Sequence, residues 1–301
     1  MDEHLCVRER DLKPAVRLKL LGHFTHDNPK FHQLRRLGKW TGNTERRIRA
    51  WHRDGEWLLL PRGALNDVRA LLRSAGQMLD DPHDHRATGE PPKMGALLKD
   101  LYPFQELAIS EMLKHDCGVL RGPPGSGKTV ILIGIITALC QPTMIVVHNG
   151  PLLEQWRQRI IEFLGYVPGV VGGGEENIRP ITIGMQQTLW RRQGAKWLDR
   201  FGCVLMDEAH HIAARTFHAV GEMFPAKWRF GCTADERRKD RMEWLIYDTL
   251  GPLRHKIQKT DLIDVGRLVP VRLALYTTRY QDEAFEMAKE EGLPSDWPGL
   301  I

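Results

Sequence analysis

Two short stretches bring together residue types that do chemistry. "CVLMDEAHH", residues 203–211, sets two acids beside two histidines after an apolar run. Such a cluster can hold a metal ion, move protons or simply face water. "GPPGSGKT", residues 122–129, fits G-x-x-x-x-G-K-[ST] in full. Along Gly122, Gly125, Ser126 and Gly127 the backbone can turn so that successive N–H groups point at phosphate oxygens. A following helix would add its positive end. Lys128 then reaches the β and γ phosphates, and the Thr129 hydroxyl coordinates Mg²⁺. ATP and Mg²⁺ are the cofactors this pattern calls for.

The phosphate loop gives the acids a role. An acid at the end of a strand downstream of such a loop is the second Mg²⁺ anchor. Asp207 takes that place, reaching the ion through water, and Glu208 polarises the attacking water as general base. A zinc site is the rival. The spacing is not H-E-x-x-H, and adjacent side chains on a helix point about 100° apart, so His210 and His211 would not face one ion.

Elements must position these residues. From residue 117 on, short apolar runs alternate with helical patterns: "CGVL" (117–120), "TMIVVH" (143–148), "PITIGM" (180–185), "CVLM" (203–206) and "WRFGCTA" (228–234). Within "PLLEQWRQRIIEFLG", Leu152, Leu153, Trp156, Ile160 and Phe163 recur at helical spacing. Alternation of this kind predicts an α/β fold, a parallel sheet covered on both faces, with ligands at the carboxyl ends of the strands.

Ahead of this lies a small basic α/β module. From Arg17 to Arg73 there are thirteen Lys/Arg against five Asp/Glu, although the whole chain of 301 residues carries only +5. That asymmetry points to a polyanion partner, with a plainly solvated Arg-rich face as the alternative. "TERRIRAWHRDG" (44–55) reads as a short helix ended by Gly55, with Arg46, Arg49 and Arg53 on one face. "EWLLLPRG" (56–63) reads as a strand and "ALNDVRALLRSAG" (64–76) as a second helix. The stretch 79–93, rich in Pro and acids, reads as a solvated linker. Arg35, Arg36, Lys39, Arg46, Arg47 and Arg49 are the phosphate-contact candidates. Trp40 and Trp51 are open to stacking but better suited to core packing. The five cysteines form no C-x-x-C pair, and no apolar run approaches the length of a membrane span. A reducing, cytoplasmic compartment and no membrane partner are expected.

The phosphate loop, "DEAH" and the "GCTA" strand, in that order, resemble superfamily 2 helicases and translocases. "LYPFQELA" (101–108) resembles that family's glutamine motif, which implies that Gln105 reads the adenine edge with Tyr102 or Phe104 packed nearby. "VVHNGPLLEQW" (146–156) and "ITIGMQQTL" (181–189) are similar to its segments that touch the nucleic-acid backbone, which implies roles for Asn149, Gln187 and Thr188. His210 would couple the ATP site to nucleic acid or to a further lobe. "LIDVGRLVPVRL" (262–273) and the basic front module resemble the XPB-like and UvsW-like branch.

The resemblance divides the chain into a nucleic-acid-binding module (1–78), a linker (79–93), a first RecA-like lobe (94–275) and a connection (276–301). It implies a DNA helicase or double-strand translocase driven by ATP hydrolysis, acting on duplex or branched DNA, with RNA left open. The family needs a second RecA-like lobe carrying an arginine finger, which nothing after residue 275 resembles. That lobe would come from further sequence or from a partner, and turnover by this chain alone should be weak. The family's third motif usually reads Ser/Thr-Ala-Thr but here reads Thr233-Ala234-Asp235, which puts the coupling of ATP to strand contacts in question. Two other readings stand beside it: a non-catalytic DNA-binding module whose affinity a nucleotide tunes, and the motor of a restriction or defence system.

Overall fold

The computed structural model describes residues 4–77, 84–93, 95–209, 219–234 and 242–269. The front of the chain contains β1 (Leu5–Arg8), α1 (Pro14–His23), β2 (Thr25–Asp27), α2 (Pro29–Arg36), β3 (Arg47–Arg49), β4 (His52–Asp54), β5 (Trp57–Leu60) and α3 (Leu65–Ser74). Strands β1, β5 and β4 form one antiparallel sheet, while β2 and β3 form a separate ribbon. Leu5, Leu58 and Leu60 from the sheet meet Val16, Leu20, Val68 and Leu72 from α1 and α3 in one buried cluster.

The expected helix over 44–55 is absent; two strands occupy that stretch. Arg47-Ile48-Arg49 alternates polar and apolar, so it suits a ribbon as well as a helix. Its backbone pairs Asp27 with Arg47 and Thr25 with Arg49. Gly55, with φ at +55°, opens a two-residue turn between β4 and β5 rather than closing a helix. Arg46, Arg49 and Arg53 therefore share no helix face. Arg53 pairs with Glu9, and both Arg49 and Arg53 lie over the Trp51 ring.

The larger sheet has eight strands. Beyond those expected from the sequence, β6 (Cys117–Arg121), β7 (Thr143–Val147), β10 (Ile181–Met185), β11 (Cys203–Met206) and β12 (Trp228–Thr233), it gains β8 (Gly169–Gly172), β9 (Glu175–Asn177) and β13 (Leu253–Lys256). The order is β13-β6-β12-β11-β7-β10-β8-β9, parallel throughout except for the β8–β9 edge pair. Successive residues of one strand feed opposite layers. Cys203 and Leu205 join the cluster with α4 (Pro103–Leu113), α5 (Lys128–Leu139) and α6 (Gly150–Leu164), whereas Val204 and Met206 join the opposite one. Both faces are thus apolar, as a parallel sheet requires. Helix α5 is buried continuously from Val130 to Ile136. The short α7 (Gln186–Trp190), α8 (Trp244–Leu250) and α9 (Lys259–Asp264) complete the described α-helices. Among the described residues, no helix is long and apolar enough to cross a membrane.

Residues 84–93 lie against the larger sheet's layers rather than free in solvent. Ala87 bridges Ala226, and Arg86 donates to both Asp84 and Asp116, at 2.7 and 2.9 Å. The Arg86 guanidinium holds the Asp84 carboxyl down to about 2. His85 is exposed, and His83 lies outside the described residues.

The front cluster is fastened to the same layers by buried polar contacts. Arg62, 5% exposed, donates to the Ala226 carbonyl at 2.6 Å. Beside it Arg229, 1% exposed, donates to the Phe224 and Thr249 carbonyls within the larger sheet's own layers. Burial and the neighbouring Arg229 guanidinium both push Arg62 below its ordinary pKa. His26 stacks on Trp244 at 3.8 Å between ring centres. Gly63 is in closest contact: a Cβ there would sit 2.4 Å from the Tyr247 carbonyl and 2.5 Å from that of Asp248. Backbone atoms cannot swing aside as a side-chain tip can. Gly63→Ala is therefore expected to lower unfolding free energy by about 1–3 kcal/mol, the range for overpacking a filled site. Urea denaturation should read this as a lower midpoint, with Gly22→Ala, at a site with open space and no left-handed backbone, as the control for steric crowding.

Candidate functional site

Parallel strands bring their carboxyl ends to one edge. There the phosphate loop leaves β6 at Arg121, Asp207 follows β11, and Thr233 ends β12, which lies between them. Gly125 and Gly127 have φ of +82° and +76°, a region that L side chains rarely enter. The Gly122 N–H donates to the Thr233 carbonyl at 3.1 Å, so the loop is stitched to the central strand where it begins. At its other end, Gln105 donates to the Ser126 carbonyl at 3.1 Å while accepting from the Tyr102 N–H. A Cβ on Gly127 would come within 2.4 Å of the same Gln105 amide. Gln105 is thus a buried brace of the loop, and each end of its amide keeps one hydrogen-bonding position.

Lys128 opens α5. Its Nζ donates to the Gly122 carbonyl at 3.2 Å and lies 3.8 Å from Glu208 Oε1. Thr129 occupies the next position in the first helical turn, half-buried. The Ser126 hydroxyl is buried and lacks a partner among the described residues.

Asp207 is 4% exposed and heavily bonded. Oδ2 accepts from the Trp156 indole N–H at 2.6 Å, and Oδ1 accepts from Cys232 Sγ at 2.9 Å and the Glu208 N–H at 2.8 Å. Burial and the Asp207 charge raise the Cys232 thiol well above its ordinary pKa, so it stays protonated and can donate. Glu208 has a φ of +48°, a left-handed backbone that costs a non-glycine residue about 1–3 kcal/mol and clusters at functional sites. His210, His211 and Asp235 lie outside the described residues.

Tyr102 and Phe104 stack with ring centres 5.7 Å apart, and Arg267 lies over Tyr102 while donating to its hydroxyl at 3.2 Å. Asn149 caps α6, its Oδ1 accepting from the Leu152 N–H at 2.9 Å. Gln187 is exposed on α7 and Thr188 half-buried. The basic candidates form a separate group. Arg35 and Arg36 end α2, Lys39 follows, and Arg46, Arg47 and Arg49 run along the ribbon, all exposed. Asn28 draws the two segments together, donating from its backbone to Arg46 O and from its side chain to Glu45 O. The tryptophans part company. Trp51 packs on the front core and donates to Thr25 Oγ1, whereas Trp40, expected in a core, is 89% exposed.

The sequence places Trp156 only on the apolar face of a helix and gives Cys232 and Arg267 no site role. Trp156 carried a readable signal, because a fully buried indole N–H needs an acceptor. Cys232 and Arg267 meet Asp207 and Tyr102 only through folding.

The donor set suits a nucleotide with magnesium: an unsatisfied Ser126 hydroxyl, a lysine, a threonine hydroxyl at a helix start and a buried carboxylate share one strand edge. Residues 98–237 match the family described as "Type III restriction enzyme, res subunit". A relative from Sulfurisphaera tokodaii, "DNA 3'-5' translocase XPB2", is 30% identical over 163 residues, covering 53% of this chain and 37% of the relative. "DNA 3'-5' helicase XPB" of Kineococcus radiotolerans is 27% identical over 209 residues, covering 62% of this chain and 37% of the relative. The chain thus spans little more than a third of the length of these relatives. The solved structure "Crystal structure of the UvsW helicase from Bacteriophage T4" aligns with a TM-score of 0.62 at 18% identity, over 81% of this chain and 94% of that one, which establishes a shared fold. With the phosphate loop and Asp207 set at one edge of the sheet as described, the chain is similar over this lobe to XPB helicases and translocases and shares the fold of the UvsW helicase.

Proposed function

We propose that this chain carries the ATP-hydrolysing lobe and a basic DNA-binding module of a DNA helicase or double-strand translocase. The observation that carries the reading is the meeting of Lys128, Asp207 and Glu208 at the ends of β6 and β11, with Lys128 Nζ 3.8 Å from Glu208 Oε1. The loop N–H groups, Ser126 and Lys128 hold the phosphates of ATP. Thr129 and Asp207 hold Mg²⁺, which when bound offsets phosphate charge and polarises the terminal phosphorus. The Glu208 carboxylate takes a proton from the attacking water. Gln105 keeps the loop in shape and uses its remaining positions for the base, beside the Tyr102–Phe104 pair. A second lobe, in the same protein or from a partner, supplies the remaining transition-state charge.

In this proposal residues 1–78 form the DNA module, 79–93 the connection and 94–275 the lobe. Arg35, Arg36, Lys39, Arg46, Arg47 and Arg49 contact phosphates, which gives affinity and salt dependence without reading sequence. Asn149, Gln187 and Thr188, beside the ends of β7 and β10, contact the strand on the lobe. A second reading, the motor of a restriction system, is favoured by the description of the matched family and uses the same lobe. ATP-dependent cleavage of unmodified duplex by the whole protein would select it.

Glu208→Gln should lower phosphate release by about 10²-fold or more while leaving nucleotide binding intact, as expected on losing a general base. Unchanged turnover in that variant removes Glu208 from the mechanism. Duplex affinity should fall steeply with salt. Replacing Arg46 and Arg47 by alanine should flatten the log–log salt slope by about 0.9 for each DNA phosphate left without its arginine. A slope equal to that of the parent protein places the DNA-binding surface elsewhere.

A further inference from the structure

Helix α6 does more than cover the sheet. Trp156 is wholly buried in it, yet its indole N–H points at the one carboxylate of the candidate site that is buried. Phenylalanine would supply nearly the same apolar surface without the donor. The 2.6 Å contact to Asp207 Oδ2 is short, as expected for a hydrogen bond to a charged acceptor.

An ionised carboxylate offers about four lone-pair positions. Trp156 occupies one on Oδ2, and Cys232 and the Glu208 N–H occupy two on Oδ1. Among the described residues one acceptor position remains, on the oxygen that Trp156 holds. The Trp156 donor therefore decides how that position is aimed. The helix that carries it is capped by Asn149, two residues after β7, in the segment proposed for nucleic-acid contact.

We infer that Trp156 is a positioning residue for Asp207: its indole N–H fixes the carboxylate with a single acceptor left for the magnesium–nucleotide, and so ties that acceptor to α6. The inference rests on the nucleotide-binding reading of the site. The alternative is that Trp156 only fills space.

The test is titration of the whole protein with a fluorescent ATP analogue, with and without Mg²⁺. Trp156→Phe should leave the magnesium-free affinity unchanged and cut the gain on adding Mg²⁺ about tenfold, the scale of one hydrogen bond to a charged group. Cys232→Ala should cut it less, because the Glu208 N–H still serves Oδ1. Benzothienylalanine at position 156 keeps the indole shape and replaces N–H with sulfur. It should reproduce the phenylalanine result and decides the matter if that variant melts early. A full magnesium-dependent gain with the isostere assigns Trp156 to packing alone. Failure of the underlying reading looks different: the wild-type protein binds no analogue, or Lys128→Ala binds it as well as wild type.

Discussion

A carboxylate at the end of a buried strand is costly unless hydrogen bonds replace the water it loses. Asp207 meets that constraint by drawing donors from three separate elements: α6, β12 and the turn after β11. Each donor fixes something else in place. Cys232 can reach Asp207 because β12 lies beside β11, and the next residue, Thr233, receives the first N–H of the phosphate loop. Trp156 can reach it because the apolar face of α6 packs on the same layer as β7 and β11. The site is therefore an outcome of sheet order, and the sheet order is stable because both its faces are apolar.

The front of the chain is joined to this arrangement by unusual means. Most of its own core is aliphatic, but its attachment uses the buried Arg62 guanidinium aimed at a backbone carbonyl, one stacked His–Trp pair and a glycine with no room for a methyl. Such contacts are directional where apolar contacts are not. They set an angle as well as an adhesion. The partner on the other side is α8, which follows β12 in sequence, so the element after the central strand bears directly on the basic module.

Much of this was legible in the sequence, for identifiable reasons. The five central strands announced themselves because strands buried on both faces are unbroken apolar runs, and the phosphate loop because its glycines have no substitute at left-handed positions. The edge strands β8, β9 and β13 escaped notice, since "GVVG", "EEN" and "LRHK" have no pattern of their own and are strands only because a neighbour pairs with them. The 44–55 stretch misled because a short charged run with an apolar residue every third or fourth position satisfies a helix and a twisted ribbon alike. Gly55 was the deciding signal, the first residue of a hairpin turn that also reads as a helix stop. Of the site, the acids and the loop were visible; the residues that brace them were not, because bracing depends on which strands become neighbours.

The backbone at Glu208 separates what is good for the fold from what, under the proposed function, is good for turnover. Its left-handed conformation is one that glycine would adopt without cost, whereas a side chain there holds the chain slightly uphill. A lineage released from the need for hydrolysis would drift toward glycine at this position and gain stability by doing so. Under the proposed function, glutamate at position 208 marks a motor selected to run, and glycine there one released from that need.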